Sequence, residues 1–433
     1  MDSLNARHLN RQDYKTLALA ALGGALEFYD FIIFVFFAAV IGQLFFPPDI
    51  PEWLRQLQTF AIFAAGYLAR PLGGILMAHF GDKTGRKKMF SLSILLMALP
   101  TLAMGALPTY QSIGIAAPVM MLLLRVLQGA AIGGEVPGAW VFVAEHVPEK
   151  RIGFACGTLT AGLTAGILLG SLVATLINTH FTPAEVAQNG WRIPFFLGGI
   201  FGLVAMYLRR WLHETPVFRQ MQQRKALAAK LPLHTIFASH KRAIVLSMLM
   251  TWLLSACIVV IILMAPTLMQ KMHAVPAALS LQANSLATIM LLLGCIISGL
   301  LVDRFGAARI LIWGSLLLAF CSWNFFQRLD GTPGVIYFSY ALAGLSVGVV
   351  GVVPVIMVRA FPAPVRFTGI SFSYNVSYAI FGGLTPIFVT LILRLTPLAP
   401  AWYVLALAVM GLVTGFWLQN EKRSRSILSE VNL

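Results

Sequence analysis

The chain has 433 residues, of which 58% are hydrophobic and only 11% charged, with a mean hydropathy of +0.82. That apolar content far exceeds what a soluble core of this length needs, which excludes a water-soluble enzyme or scaffold and gives the fold class as an all-α polytopic membrane protein. The net charge of +15 is spread over many short loops, as expected of a basic inner face lying against anionic lipid headgroups, and no nucleic-acid partner is expected. Runs of roughly 20 apolar residues predict twelve spans, at about 17–41, 57–78, 89–107, 117–143, 153–178, 192–210, 243–268, 280–302, 309–327, 335–358, 367–393 and 401–418. The first run is too long for a signal-peptide core and is read as a retained helix. Most of the 31 basic residues fall in cytoplasmic segments if both termini are cytoplasmic. Three regions follow: an N-terminal six-helix half over 1–208, a Lys/Arg/Gln-rich cytoplasmic linker over 209–242, and a C-terminal six-helix half over 243–433 ending in a short cytoplasmic tail.

Cys156, Cys257, Cys295 and Cys321 all lie inside apolar spans, with no CxxC pair and no His at ligand spacing. No Walker loop, Rossmann glycine pattern, HExxH or nucleophile elbow occurs, so no metal, no cofactor and no catalytic residues are expected, and the protein is not expected to be an enzyme.

The chain repeats itself. The loop Asp82-Lys83-Thr84-Gly85-Arg86-Lys87-Lys88 after the second span recurs as Asp303-Arg304-Phe305-Gly306-Ala307-Ala308-Arg309 after the eighth. Pro148 to Gly153 after the fourth span is echoed by Pro362 to Gly369 after the tenth, each with Pro, then Arg, then Gly. Two related halves are the sequence sign of a transporter that rocks about a site near mid-membrane depth. The candidate gating residues are therefore Asp82, Arg86, Asp303, Arg304, Glu145 and Arg151. Asp82 is expected to pair with its own loop or to accept amide hydrogen bonds from a neighbouring helix N-terminus.

The Asp82-Lys83-x-Gly85-Arg86-Lys87 loop resembles that of the major facilitator superfamily. One position departs: the family usually has Gly four residues before the Asp, and here it is Ala78, although Gly299 stands before Asp303. Within the superfamily the chain resembles the metabolite:H+ symporters over nearly its full length. The matching segments are Glu27 to Phe31, Arg70 to Gly74, Gln128-Gly129 with Gly133 to Glu135, Trp191 to Phe196 and Glu214 to Phe218. Phe142 to Glu145 and Ala401 to Tyr403 resemble the family's proline/betaine members, and Ile380 to Pro386 its citrate members. The resemblance implies a proton-coupled symporter that imports a small polar metabolite by alternating access, with either a carboxylate or a zwitterion as substrate. Passive facilitation and sodium coupling stay open as alternatives. It further implies a bacterial inner membrane, membrane lipids and H+ as partners, no cofactor beyond the proton gradient, and function as a monomer.

Ionisable residues inside a membrane normally face a cavity or a partner. Glu27 and Asp30 share a face of the first span and can share a proton, or one of them can neutralise an arginine. Arg125 in the fourth span is their expected partner, either permanently or in exchange with a substrate carboxylate. Its setting, Arg125 to Gly129, resembles a superfamily motif linked to proton transfer. Glu135 is expected to release the proton or to brace the cytoplasmic side with Arg151 or Arg86. Arg70 is a candidate for the substrate or a snorkelling arginine. Tyr29, Gln128, Trp252, Tyr374 and Asn375 complete the candidate substrate contacts, Tyr374 sharing a helix face with Tyr378. Such an aromatic wall suits a methylated ammonium, or serves as packing. Gly162, Gly166 and Gly170 are spaced by four for close helix approach.

Overall fold

With no water in the bilayer core to take up backbone hydrogen bonds, long apolar runs close those bonds within themselves as helices. A computed structural model of the chain describes residues 8–223 and 232–431. It is helical, without strands among the described residues, and twelve of its helices are long and apolar enough to cross a membrane.

The first six are α1 (Arg11–Phe36), α2 (Glu52–Thr84), α3 (Arg86–Ala106), α4 (Ala116–His146), α5 (Ile152–His180) and α6 (Arg192–Arg209). Next come α7 (Lys241–Ile258, a π turn Val259–Met264, then Ala265–His273), α8 (Ala277–Phe305) and α9 (Ala307–Gln327). The last three are α10 (Pro333–Val347, a 3-10 stretch Gly348–Val352, then Val353–Ala360), α11 (Arg366–Ser377, a π turn Tyr378–Gly382, then Gly383–Leu393) and α12 (Ala399–Val431). Several helices outrun their apolar windows. α1 starts at Arg11 because Asn10 and Asp13 each accept the other's backbone N–H, at 3.0 and 2.9 Å, closing the helix start in polar sequence.

Helices α1–α6 pack mainly among themselves, as do α7–α12. The two groups meet chiefly where α2 and α4 touch α11 and where α5 touches α8 and the middle of α10. The glycine stripe of α5 lies on α1: side chains at Gly162, Gly166 and Gly170 would run into Ala21, Ala25 and Ile32. Across the groups, a Cβ at Gly299 would overlap the Gly153 carbonyl and come within 3.1 Å of the Gly157 Cα. At the corresponding place on α2 stands the fully buried Ala78.

The duplicated loops turn on glycine. Gly85 and Gly306 have φ of 123° and 89°, conformations that side chains disfavour, and their N–H groups close α2 and α8 on Gly81 and Val302. Both loops lie at the same end of the bundle, the basic end. All four cysteines are buried and free.

Replacing Gly299 with Val should lower the thermal unfolding midpoint of the detergent-purified protein, since overpacking costs about 1–3 kcal/mol. A variant melting with the parent protein would show that α5 and α8 do not need this backbone contact.

Candidate functional site

Asp30 of α1 is the centre of a buried polar cluster. Its Oδ2 lies 3.0 Å from the Thr101 hydroxyl of α3 and accepts from Gln128 Nε2 of α4 at 3.4 Å. Gln128 Nε2 also donates to Thr101 Oγ1 at 2.8 Å, while Arg125 donates from Nη1 to Gln128 Oε1. The Thr101 hydroxyl lies 2.9 Å from its own helix carbonyl at Met97, so its single proton serves Asp30 or the backbone. Asp30 and Arg125 are only 3% and 4% exposed. Asp30 Oδ1 has no hydrogen-bond partner, and α6 covers it so closely that a Cβ at Gly198 would come within 2.6 Å. The partner expected for Arg125 is Asp30 or Glu27; in this conformation it reaches Asp30 through Gln128, one helical turn from Arg125. The side chain of Glu27 lies outside the described residues.

Arg125 is also held by rings, its guanidinium 4.6 Å from Phe34 and 5.4 Å from Phe63. From there an unbroken run of aromatic contacts leads away. Phe34 stacks on Phe63, Phe63 meets Tyr67 edge-on, Tyr67 stacks on Tyr378, and Tyr378 touches Tyr374, which meets Trp140 edge-on. Arg70 lies over Tyr67, Tyr374 and Tyr378. Asn375 donates from Nδ2 to the Gly133 carbonyl at 2.6 Å, and its buried Oδ1 has no partner.

Glu135 does not meet Arg151, one of the partners expected if it braces the cytoplasmic side. It forms a two-pronged ion pair with Arg209 at the end of α6, with contacts of 2.6 and 3.2 Å, and accepts from Ser93 at 2.6 Å. Both charged side chains are fully buried. Arg209, read above as the first linker residue, is therefore part of the helical core. Arg151 is exposed, and the side chain of Arg86 lies outside the described residues.

At the basic end two carboxylates reach across between the helix groups. Asp82 accepts the Thr368 N–H at 3.0 Å and its hydroxyl at 2.8 Å, in the first turn of α11. Asp303 accepts the N–H groups of Gly153 and Phe154 at 2.7 and 2.9 Å, in the first turn of α5. Each acid thus sits on the positive end of a helix from the other group. The helix N-terminus expected as one partner of Asp82 is present. Glu145 adds a third tie, to Arg366 at 3.0 Å, and holds Thr215 beyond α6 at 2.8 Å. Glu214 accepts from the Lys87 N–H at 3.2 Å.

The other candidates lie apart. Trp252 stacks on Phe381 and donates to Tyr403 at 3.0 Å, away from both arginines. Tyr29 spends its hydroxyl on the Pro194 carbonyl at 2.9 Å, fastening α1 to α6. Arg304 is exposed beside Phe305. Sequence reasoning missed Arg209, Thr101, Thr368 and Tyr67 as partners. Only Thr101 carried a usable signal, a polar residue deep in an apolar span.

Twelve helices long and apolar enough to cross a membrane, buried charges among them and carboxylate braces at one end fit a polytopic membrane transporter. The chain matches the Major Facilitator Superfamily across residues 20–386, and it belongs to that family. It is 32% identical over 428 residues to the glycine betaine/proline/ectoine/pipecolic acid transporter OusA of Dickeya dadantii, covering 94% of this chain and 83% of that one. It is 32% identical over 423 residues to a proline/betaine transporter of Salmonella typhimurium, covering 93% and 82%. Among solved structures, the proton:xylose symporter XylE bound to 6-bromo-6-deoxy-D-glucose superposes with a TM-score of 0.77 at 16% identity, over 94% of this chain and 95% of that one, which shows the shared fold. The relatives are named as transporters, and this protein is a secondary transporter of a small metabolite, not an enzyme.

Arg209→Ala strands Glu135 as a buried unpaired charge, at a cost of about 3–5 kcal/mol. A clear fall in thermal stability is expected, with partial recovery when Glu135→Gln and Arg209→Gln are combined. Equal losses in the single and double variants would show that the pair is not the source.

Proposed function

We propose that this protein is a proton-coupled symporter that imports a zwitterionic metabolite of the proline/betaine kind by alternating access. The observation that carries the coupling is the Asp30 cluster: a buried carboxyl with one oxygen unpartnered, joined through Gln128 to Arg125. An uncompensated carboxylate in hydrocarbon is costly, and a proton taken up there removes the charge. Its release restores a carboxylate that Thr101 and Gln128 already solvate. The choice of a zwitterion over a carboxylate such as citrate follows the substrates for which the relatives are named and the aromatic run beside two arginines.

In this reading the basic end is cytoplasmic, both termini lie there, and the membrane is the inner membrane of a bacterium. The moving bodies are the halves 1–208 and 243–433, joined by the segment 209–242, and one chain suffices. The Asp82, Asp303 and Glu145 ties close the cytoplasmic side, so the conformation described is one from which cargo does not leave inward.

The test is uptake of radiolabelled proline, glycine betaine, citrate and α-ketoglutarate into proteoliposomes under an imposed inward proton gradient. Proline or betaine should accumulate and be discharged by a protonophore. Asp30→Asn should lose at least tenfold of this accumulation while retaining exchange at equal concentrations. Accumulation driven only by sodium, or of citrate alone, would overturn the coupling or the substrate respectively.

Asp82→Asn removes the charge from the α11 helix end but leaves an acceptor. It should slow turnover severalfold with KM little changed. Unaltered turnover would exclude a role for this brace in the transport cycle.

A further inference from the structure

Pro137 sits inside α4, and what it takes away lies one turn back. In an α-helix the carbonyl of Gly133 accepts the N–H of residue 137, and proline has none. The buried Gly133 carbonyl therefore lacks its helical partner. It is served from the other helix group. Asn375 of α11 donates to it from Nδ2 at 2.6 Å, and the Ser371 hydroxyl lies 3.4 Å away. Asn375 and Ser371 are themselves fully buried. Helix α2 closes over the same spot with Gly74, where a Cβ would overlap the Asn375 amide, the Gly133 carbonyl and the Ser371 hydroxyl.

The amide is committed at one end. Its Nδ2 has two protons and two carbonyls to take them, Gly133 and, at 2.8 Å, Ser371 of its own helix. These acceptors fix the orientation, since Oδ1 turned the same way would face both oxygens. Oδ1 is left buried and without a hydrogen-bond partner among the described residues. We propose that Asn375 is a positioning residue of the transport cycle: it latches α11 to α4 while the basic end is closed, and Pro137 keeps the Gly133 carbonyl open to receive it. The inference rests on the reading that the two helix groups part at that end during transport.

The contact is built to be both definite and releasable. Its α4 side is anchored, because Glu135, two residues on from Gly133, is paired with Arg209 of α6. Its α11 side lies seven residues in from Thr368, about 10 Å at helical rise, so the latch and the Asp82 brace act on one helix at two depths. Closing gives the Gly133 carbonyl a donor but strips water from Oδ1, whereas opening wets both groups. The gain at one end of the amide is offset at the other, so the contact favours the closed state without locking it. With an N–H at position 137 the carbonyl would be satisfied whether the groups were together or apart, and Asn375 would distinguish the two states far less.

The four native cysteines are buried, so spin labels can be attached at Lys88→Cys and Arg309→Cys, exposed and equivalent positions in the duplicated loops of the two groups. The experiment reads the ratio of long to short label distances by double electron–electron resonance, in the full-length protein in lipid nanodiscs. Asn375→Leu keeps the side chain's size and removes its N–H, and should raise that ratio at least threefold. In a Pro137→Ala background, where the Gly133 carbonyl regains a helical donor, the same substitution should raise it by less than half. Asn375→Ala, which leaves room to spare, should give the same pattern, so a poor fit of leucine does not decide the outcome. A side chain that only packs would act alike in both backgrounds, and that result, or no change in either, would overturn the latch. Asp82→Asn loosens a separate tie and serves as the control. If it lengthens the distances while Asn375→Leu and Asn375→Ala act alike in both backgrounds, the transport reading stands and only the latch falls. Distances that stay short in every variant would overturn the two together.

Discussion

Every polar group in this protein that lies within the bilayer must find its partner inside the protein, because hydrocarbon offers none. That constraint explains why the buried charges occur in closed sets. Glu135 has Arg209 and Ser93, Asp82 has the first turn of α11, Asp303 has the first turn of α5, and Glu145 has Arg366 and Thr215. Asp30 departs from the pattern, with one oxygen satisfied and the other not. Of these five carboxylates it is the one with an oxygen left without a partner, and a charge left so costs most to keep.

The braces at the basic end show how a duplicated sequence makes a reversible contact. The two acids each use backbone amides of the opposite group, so each half supplies an acceptor and a helix end. A helix N-terminus is a donor that needs no particular side chain, and its attraction for a carboxylate is only about 0.3–1 kcal/mol at exposed sites, rising to about 2 when partly buried. Such contacts can hold a closed state and still release it. The Glu135–Arg209 pair is different in kind: it lies wholly within α1–α6, both partners are fully buried, and breaking it costs several times more. It belongs to the rigid body, whereas the braces belong to the seam.

The fold was legible in the sequence because hydropathy and the repeated Asp-x-x-Gly loops report on local matters: span length, turn glycines and basic loops. The boundaries of α1 and α6 were less so, since polar residues extend a helix when a cap or a distant partner supports them. Arg209 looked like linker because it begins a basic stretch beside Arg210. Its burial depends on Glu135, 74 positions away, and no local pattern announces that. The partners of Asp82 and Asp303 are largely backbone amides, which carry no sequence signature at all. Tyr374 and Tyr378 showed their common face through helical spacing, but nothing in the sequence said that Tyr67 of α2 would complete it. Trp252 illustrates the opposite case, an aromatic residue in an apolar span whose ring and indole nitrogen are both taken up by neighbours in its own group.

Arg125 and Arg70 are connected by a run of aromatic rings. From Arg125, tied through Gln128 to Asp30, the contacts pass by Phe63 and Tyr67 to Tyr378 and Arg70. Aromatic contacts transmit position, because a ring cannot tilt without displacing the next, but they do not conduct protons. A displacement passed along this route would therefore be steric, from Arg125 by way of Phe63 to Tyr67. Tyr67 meets Phe63 of its own helix and Tyr378 of α11, and Tyr374 of α11 in turn meets Trp140 of α4, so the run of rings crosses between the groups at two places.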